Sequence, residues 1–157
     1  MPLTIKHATP EDADNLAELL HEAETFYGES EPHDTLAANL RDAVFGQNAG
    51  IHVLIAYDDT EPLGFAAYSY LWPAQTSTRS LYLKELFVRA KNRRTGVGKT
   101  LMNHIFTTAR HNRCTRVEWT TEHDNETAQR FYQNLGHHPD PTKILYRTEI
   151  PVTGPDT

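Results

Sequence analysis

The sequence predicts a mixed α/β fold in which helices cover both faces of one central sheet. Segments rich in β-branched and aromatic residues alternate with segments whose apolar residues recur at helical spacing. Two neighbouring strand-like segments have no helix between them, which is typical of a β-hairpin. This order of elements favours a layered α/β architecture. With 157 residues, the chain has the length of one domain with a single buried core.

The N-terminal third predicts one strand and two helices. Residues 3–8 are typical of a short strand. Thr9 fits the N-cap of a first helix because Pro10 follows at the first helical position and acidic residues occupy the first turn. After a polar break, a second helix is expected from about Asp34 to Phe45, where Gly46 ends it.

The middle of the chain predicts three strands. Residues 52–57 and 63–71 read as a hairpin joined by the polar segment DDTEP. Residues 72–79 predict a turn. The segment 81–88 then forms a central strand, because β-forming residues dominate it.

The C-terminal half alternates helix and strand. An amphipathic helix is predicted from apolar residues that recur at helical spacing; these are Val97, Leu101, Met102, Ile105, Phe106 and Ala109. A strand at 115–121, a helix from 125 and a last strand near 143–149 follow. Residues 151–157 are expected to form a frayed tail.

The segment RRTGVGK, residues 93–99, lies between the central strand and the amphipathic helix. Backbone N–H groups at the start of a helix have no partner inside the helix, and the helix dipole is positive there. Gly96 and Gly98 let a ligand approach the main chain closely. The segment therefore predicts an anion cradle suited to a pyrophosphate. Five basic residues within eleven positions favour a small anionic ligand here; they are Arg89, Lys91, Arg93, Arg94 and Lys99.

Three known phosphate-binding patterns compete for this segment. A nucleoside-triphosphate P-loop needs a glycine five residues before Gly98, where Arg93 stands. A dinucleotide fingerprint needs a third glycine, where Leu101 stands. The pattern R-x-x-G-x-G after a strand that ends in L-F-V fits without gaps.

That third pattern resembles the acetyl-coenzyme A loop of the GNAT superfamily of N-acetyltransferases. Independently, NETAQRFYQNLG at 125–136 is similar to the family's N-x-x-A-x-x-F-Y-x-x-L-G helix. Its apolar residues fall at i, i+3, i+4 and i+7 and share one face, and Gly136 suits the C-cap. The resemblance covers residues 1–150, which are expected to form a single acetyltransferase domain.

The resemblance implies a mostly antiparallel sheet that is splayed between its two central strands, a homodimer, and acetyl-coenzyme A as cosubstrate. It also implies a cofactor site in which main-chain N–H groups do most of the binding. The residues that match it are Leu86, Phe87, Val88, Arg93, Arg94, Thr95, Gly96, Val97, Gly98, Lys99, Thr100, Asn125, Ala128 and Tyr132. The backbone at Phe87 and Val88 is expected to hold the pantetheine arm and to polarise the thioester carbonyl.

The expected reaction is attack of an amine on a thioester. An alkylamine of pKa about 10.4 is mostly protonated at pH 7, and its deprotonation costs about 4.6 kcal/mol. A base must accept that proton, and an acid must serve the leaving thiolate. By resemblance Tyr132 is the acid. Glu85 is the preferred base; ordered water, Glu118, Glu122 and His123 are the alternatives.

The acceptor is expected to be a small-molecule primary amine. The chain is similar to the diamine (spermidine/spermine) acetyltransferase branch, but Lys84 replaces that branch's first acid in YLED-FV. Because each missing carboxylate removes a contact of about 1.5–3 kcal/mol, polyamines should bind poorly. A lysine suits an acceptor with a carboxylate, such as an amino acid, unless Lys84 faces solvent. The candidate acceptor residues are Phe26, Tyr27, Lys84, Glu85, Trp119 and Glu122.

Two other functions share the cofactor motifs. An antibiotic-modifying acetyltransferase would differ only in its acceptor pocket. A non-catalytic acetyl-coenzyme A sensor would not need Tyr132.

Composition narrows the partners and the location. The net charge of −6 argues against nucleic acid as a partner. No apolar run is long enough to span a membrane, and no secretory signal is visible. The single cysteine, Cys114, fits a reducing cytoplasm. Histidine and cysteine spacing predicts no metal site.

Overall fold

A computed structural model describes residues 3–28 and 33–151. The described part contains five strands and four α-helices. The strands are β1 (Leu3–His7), β2 (His52–Asp58), β3 (Glu61–Leu71), β4 (Arg79–Val88) and β5 (Cys114–Glu118). The helices are α1 (Ala13–Phe26), α2 (His33–Phe45), α3 (Val97–His111) and α4 (Glu126–Asn134).

The chain divides into two compact units, Met1–Thr120 and Thr121–Thr157. All five strands and helices α1 to α3 belong to the first unit, and α4 belongs to the second. The single domain expected over residues 1–150 stays a prediction.

The sheet has the order β1-β2-β3-β4-β5 and is antiparallel except for its last pair. Strand β4 runs parallel to β5, and their pairing ends at Tyr82 and Glu118. Among the described residues, the second half of β4 therefore has β3 as a neighbour on one edge and no strand on the other. This geometry confirms the predicted mixed sheet that splays between its two central strands.

Helices pack on both faces of the sheet, as predicted. One face is covered by α1 and α2, whose core includes Leu16, Leu19, Phe65 and Phe87. Because successive strand residues point to opposite faces, the neighbours of Phe65 and Phe87 point the other way. Helix α3 contacts β3, β4 and β5 there. It buries Val97, Leu101, Met102, Ile105 and Ala109.

The start of α1 is fixed by a buried carboxylate. The predicted N-cap at Thr9 is confirmed. The Thr9 N–H donates to Asp12 Oδ2 over 2.8 Å, and a 3-10 turn over Pro10–Asp12 leads into α1. The Tyr57 hydroxyl donates to Asp12 Oδ1 over 2.8 Å, and Lys6 Nζ lies 2.9 Å from Oδ2. Burial opposes ionisation of Asp12, but these bonds outweigh it and lower the pKa of the carboxyl. Asp12 thus links α1 to β1 and β2.

Helix α4 has the predicted apolar face and the predicted C-cap at Gly136, and Asn125 caps its start. The Asn125 side chain accepts from the Ala128 N–H over 3.1 Å, and Gly136 follows the helix with a φ of 92°. The half-buried residues of this segment are the predicted set, Ala128, Phe131, Tyr132 and Leu135, together with Asn125 at the cap. No described residue from 121 to 151 is fully buried.

The prediction of a last strand near 143–149 is wrong for the single chain. The described backbone there has no regular structure, and Ile144, Leu145, Tyr146 and Ile150 are 77%, 60%, 88% and 80% exposed. The residues are good strand formers, but a strand needs a neighbour for its hydrogen bonds, and no described strand pairs with them. Of the predicted C-terminal tail, only Pro151 lies within the described residues.

Candidate active site

The turn between β4 and α3 is predicted to be a phosphate cradle, and its backbone conformation is compatible with that prediction. A 3-10 turn at Ala90–Asn92 follows β4, and Arg94 then takes a left-handed φ of 63°. Gly96 is the N-cap of α3, with a φ of 91°. No atom would obstruct a side chain at Gly96, so the glycine is needed for its φ rather than for space.

The first turn of α3 has N–H groups without an acceptor inside the helix. The first intrahelical bond runs from the Thr100 N–H to the Gly96 carbonyl over 3.0 Å. The N–H groups of Val97, Gly98 and Lys99 precede it and have no acceptor inside the helix. Val97 is 1% exposed and anchors the turn in the core. The Thr100 hydroxyl donates to the Gly96 carbonyl over 2.8 Å, so this side chain braces the turn.

The unpaired edge of β4 presents further N–H groups. The Arg89 N–H donates to the Leu63 carbonyl over 2.9 Å, which turns residue 89 towards β3. Because backbone groups alternate along a strand, the Phe87 N–H also faces β3. The N–H groups of Leu86 and Val88 face the open edge. Of the two residues expected to bind the pantetheine arm through their backbone, Val88 therefore has its N–H at the open edge and Phe87 does not.

The basic cluster is only partly available to an anion. Arg89 is 6% exposed and forms ion pairs with Glu18, with Glu22 at 2.9 Å and with Glu61 at 3.1 Å. Burial disfavours its charge, but the three carboxylates outweigh burial and raise the Arg89 pKa. Lys91 pairs with Glu61 at 3.3 Å. Carboxylates pair with both side chains, and the role of these two residues at an anionic ligand stays a prediction.

Arg93 closes the turn against the sheet. Its Nε donates to the Val88 carbonyl over 3.0 Å, and its guanidinium carbon lies 4.5 Å from the centre of the Phe26 ring. Arg94 and Lys99 are exposed beside the cradle.

A cavity of about 420 Å³ lies between α1 and the end of β4. Its lining residues are Glu18, His21, Glu22, Thr25, Phe26, Phe87, Ala90 and Arg93. Phe26 is the predicted acceptor residue that lines it. The four polar residues of α1 in this lining were not among the predicted acceptor residues. Their spacing of i, i+3, i+4 and i+7 was a usable signal, since it puts them on one helix face.

Glu85 lies on the cavity's side of the sheet. The pairing of β3 with β4 is regular from Glu85 to Val88, so Glu85 and Phe87 share a face. Glu85 is half-buried, whereas Lys84 is exposed. Tyr27 is exposed at the end of α1, with its ring centre 5.1 Å from that of Phe26.

Two further predicted acceptor residues, Trp119 and Glu122, follow β5 along the chain. Trp119 follows β5 and packs edge to face on Phe106 of α3, with 6.3 Å between ring centres. Glu122 belongs to the second unit, where its carbonyl accepts from Gln129 Nε2 over 2.9 Å.

The second unit holds three predicted cofactor residues, Asn125, Ala128 and Tyr132. The Asn125 side chain is used by the helix cap. Tyr132 is half-buried on the apolar face of α4. Its carbonyl accepts from the His137 N–H over 3.0 Å.

Among residues 3–28 and 33–151, no helix is long and apolar enough to cross a membrane. Within the same ranges, no group of three or more His, Cys, Asp or Glu side chains could hold a metal ion.

The cradle, the splayed sheet and the α3 N-terminus together define an acyltransferase fold. The chain belongs to the acetyltransferase (GNAT) family, whose model matches residues 14–137. It is an acyltransferase enzyme.

Characterised and solved proteins resemble the chain over much of its length. It is 26% identical over 129 residues to a thialysine N-epsilon-acetyltransferase of Caenorhabditis elegans, covering 82% of this chain and 79% of the relative. It is 30% identical over 92 residues to a D-amino-acid N-acetyltransferase of Saccharomyces cerevisiae, covering 57% and 56%. An integron cassette protein from the mobile metagenome of V. cholerae superimposes with a TM-score of 0.88 at 33% identity, covering 95% of this chain and 93% of that protein.

Proposed function

We propose that the protein transfers an acetyl group from acetyl-coenzyme A to the primary amine of a small molecule that resembles an amino acid. One observation supports this proposal above the others: the unpaired edge of β4 leads directly into a turn whose next N–H groups belong to the start of α3. The thioester-bearing arm needs hydrogen-bond donors along an extended strand, and the pyrophosphate next to it needs donors at the start of a helix.

The cosubstrate would be held mainly by backbone. The N–H groups of Val97, Gly98 and Lys99 would receive the pyrophosphate, with the exposed charges of Arg94 and Lys99 beside it. The N–H groups of Leu86 and Val88 would receive the amide-bearing arm and the thioester carbonyl. Asn125 and Ala128 complete the set by family resemblance. Acetyl-coenzyme A supplies the activated acetyl group.

The acceptor amine would enter the cavity beside α1. Its walls combine the Phe26 and Phe87 rings with the carboxylates of Glu18 and Glu22. Glu18, Glu22 and Glu61 outnumber the two cations that pair with them, so this cluster keeps a net negative charge that attracts an ammonium group. Glu85, on the same face of the sheet as Phe87, would accept the proton that the amine must lose before it attacks.

Tyr132 would donate a proton to the leaving thiolate. Its position in the F-Y pair of α4 matches the family's acid, and a phenol of pKa about 10 is a reasonable donor to a thiolate. A sensor that only binds acetyl-coenzyme A would have no use for this group.

Two relatives support the proposed class of acceptor, since one is named for thialysine and the other for D-amino acids. Lys84 is exposed and could bind an acceptor carboxylate. These points favour an amino acid over a polyamine. We also propose a homodimer, as the family resemblance implies, and a cytoplasmic location, which the single cysteine supports.

A panel of amines tests this function. Purified protein, acetyl-coenzyme A and single amines would be mixed, and thiol release would be followed with a chromogenic disulfide. Lysine analogues and D-amino acids should give the highest kcat/KM, and polyamines a lower one. Release that does not depend on any amine would refute the proposed transfer, and preference for aminoglycosides would favour the antibiotic-modifying alternative.

A further inference from the structure

We propose that Arg89 determines acceptor specificity, because its buried guanidinium leaves one net negative charge beside the acceptor cavity and so favours acceptors with one positive charge over diamines. The inference rests on the proposed function, since it takes the cavity beside α1 as the place where the amine binds. It deepens that function by identifying the residue that sets the charge of the acceptor.

Arg89 is a buried cation that contacts three carboxylates. Its guanidinium pairs with Glu18, with Glu22 at 2.9 Å and with Glu61 at 3.1 Å. A buried charge without partners is costly, so the fold holds these carboxylates close to it. Their effect on the Arg89 pKa exceeds that of burial and raises it, so the side chain stays charged at neutral pH.

Two of these carboxylates also belong to the wall of the cavity. Glu18 and Glu22 lie one helical turn apart on α1 and both line the cavity, whereas Arg89 does not line it. Their side chains are 60% and 43% exposed, so each can meet a ligand while it stays paired with the guanidinium. Arg89 therefore acts on a bound amine through carboxylates that the amine would touch, without a contact of its own.

The charges around the cavity leave one carboxylate in excess. Glu61 pairs with Lys91 at 3.3 Å as well as with Arg89, so three carboxylates share two cations. Arg93 lines the cavity, and Glu85 lies on the cavity's side of the sheet, so these two add one charge of each sign. With histidine counted as neutral, the surroundings of the cavity retain one net negative charge.

One excess negative charge matches an acceptor that brings one positive charge. A lysine-like amino acid brings one net positive charge at neutral pH, whereas a diamine brings two. The second ammonium group of a diamine would lose water in the cavity without a spare carboxylate to compensate it, which costs free energy. Without the guanidinium of Arg89, the excess would be two negative charges, and a diamine would match it.

Calorimetry with two amines of equal length tests the inference. Pentylamine carries one ammonium group and 1,5-diaminopentane carries two, and the binding of each would be measured in the presence of coenzyme A. Arg89→Met removes the charge but keeps the apolar part of the side chain. It should raise the affinity for the diamine relative to the monoamine by at least about 5-fold over the parental ratio. The fold should survive, because the remaining carboxylates are exposed enough to be hydrated.

Three further variants separate charge from structure. Arg89→Lys keeps the cation and should keep the parental ratio. Glu22→Gln removes a carboxylate and should shift the ratio towards the monoamine, which keeps the test decisive even if Arg89→Met does not fold. Arg41→Met is the matched control, because it breaks an ion pair of α1 with Asp14, at 3.3 Å, between residues outside the cavity lining. It should leave both affinities unchanged.

A loss of affinity for both amines in Arg89→Met at the parental ratio would overturn the inference and leave Arg89 with a structural role alone. An unchanged ratio in Glu22→Gln, or a parent that binds neither amine, would overturn it as well. Failure of the proposed acetyl transfer would appear differently, as binding of amines without amine-dependent thiol release. The ratio of affinities would still decide the role of Arg89 in that case.

Discussion

The proposed cradle and the proposed acceptor cavity lie at the same end of β4, yet they are built from different parts of the residues. The cradle is main chain: N–H groups of α3, the left-handed Gly96 and the unpaired edge of β4. The cavity is side chain: carboxylates and rings from α1 and β4. A backbone site needs a special local conformation, whereas a side-chain site needs distant segments to meet.

This difference has a functional consequence. Hydrogen bonds from main-chain N–H groups depend little on side-chain identity. The proposed cradle would therefore bind the same cosubstrate in relatives whose side chains differ. The cavity can change its acceptor by a few substitutions on α1 without disturbing the cradle. Variants should therefore separate cosubstrate binding from acceptor binding.

The largest expected effect is at Gly98. Gly98→Asp adds a side chain and a negative charge where a pyrophosphate would meet the backbone. We expect acetyl-coenzyme A affinity, measured by calorimetry, to fall by at least about 10³-fold, because like charge replaces a favourable dipole. Gly98→Ala, which adds the Cβ alone, is the control and should lose less. A folded Gly98→Asp protein with parental affinity would refute the phosphate assignment.

The next effect concerns the proposed acid. Tyr132→Phe keeps the ring and removes the proton donor. Loss of one general acid should lower kcat by about 10²–10⁴-fold at saturating substrates, with cosubstrate affinity nearly unchanged. Phe131→Leu, a neighbouring change on the same helix, should have little effect on kcat. A parental rate in Tyr132→Phe would exclude the role.

A smaller effect is expected where α1 joins the sheet. Asp12→Asn removes a buried charge that binds Lys6, Thr9 and Tyr57, at a cost of about 2 kcal/mol in the free energy of unfolding. Since α1 forms the cavity wall, KM for the amine should rise while acetyl-coenzyme A affinity stays. Urea denaturation and initial rates measure the two effects.

The Asp12 carboxylate also makes the free energy of unfolding of the parent depend on pH. The folded-state pKa of Asp12 is lowered, so its contribution to stability is present above the unfolded value near 3.9 and is lost as pH falls through the folded value. The stability difference between parent and Asp12→Asn should therefore shrink below about pH 4. A constant difference between pH 6 and pH 3 would contradict the assignment.

The smallest effect is at Lys84. This residue is exposed, and a pair at such a rim is worth under about 1 kcal/mol. Lys84→Glu should weaken acidic acceptors, improve cationic ones and leave neutral amines nearly unchanged in kcat/KM. An unchanged ranking would make Lys84 a surface residue without a part in specificity.

The sequence predicted what depends on local signals. The Thr9 cap, the Gly136 C-cap and the periodicity of α3 each depend on nearby residues, and the structure confirms all three. The cavity carboxylates and the burial of Arg89 depend on contacts between residues up to 71 positions apart, which composition does not reveal. The last strand failed for a related reason, since a strand depends on its neighbour as much as on its own residues.

Amide hydrogen exchange tests the backbone cradle most directly. Exchange rates would be compared in free protein and in protein saturated with coenzyme A. The account predicts the strongest slowing at Leu86, Val88, Val97, Gly98 and Lys99, with little change along α1. Coenzyme A binding that leaves the amides of 97–99 unprotected, or that protects α1 instead, would contradict a main-chain cradle at the start of α3.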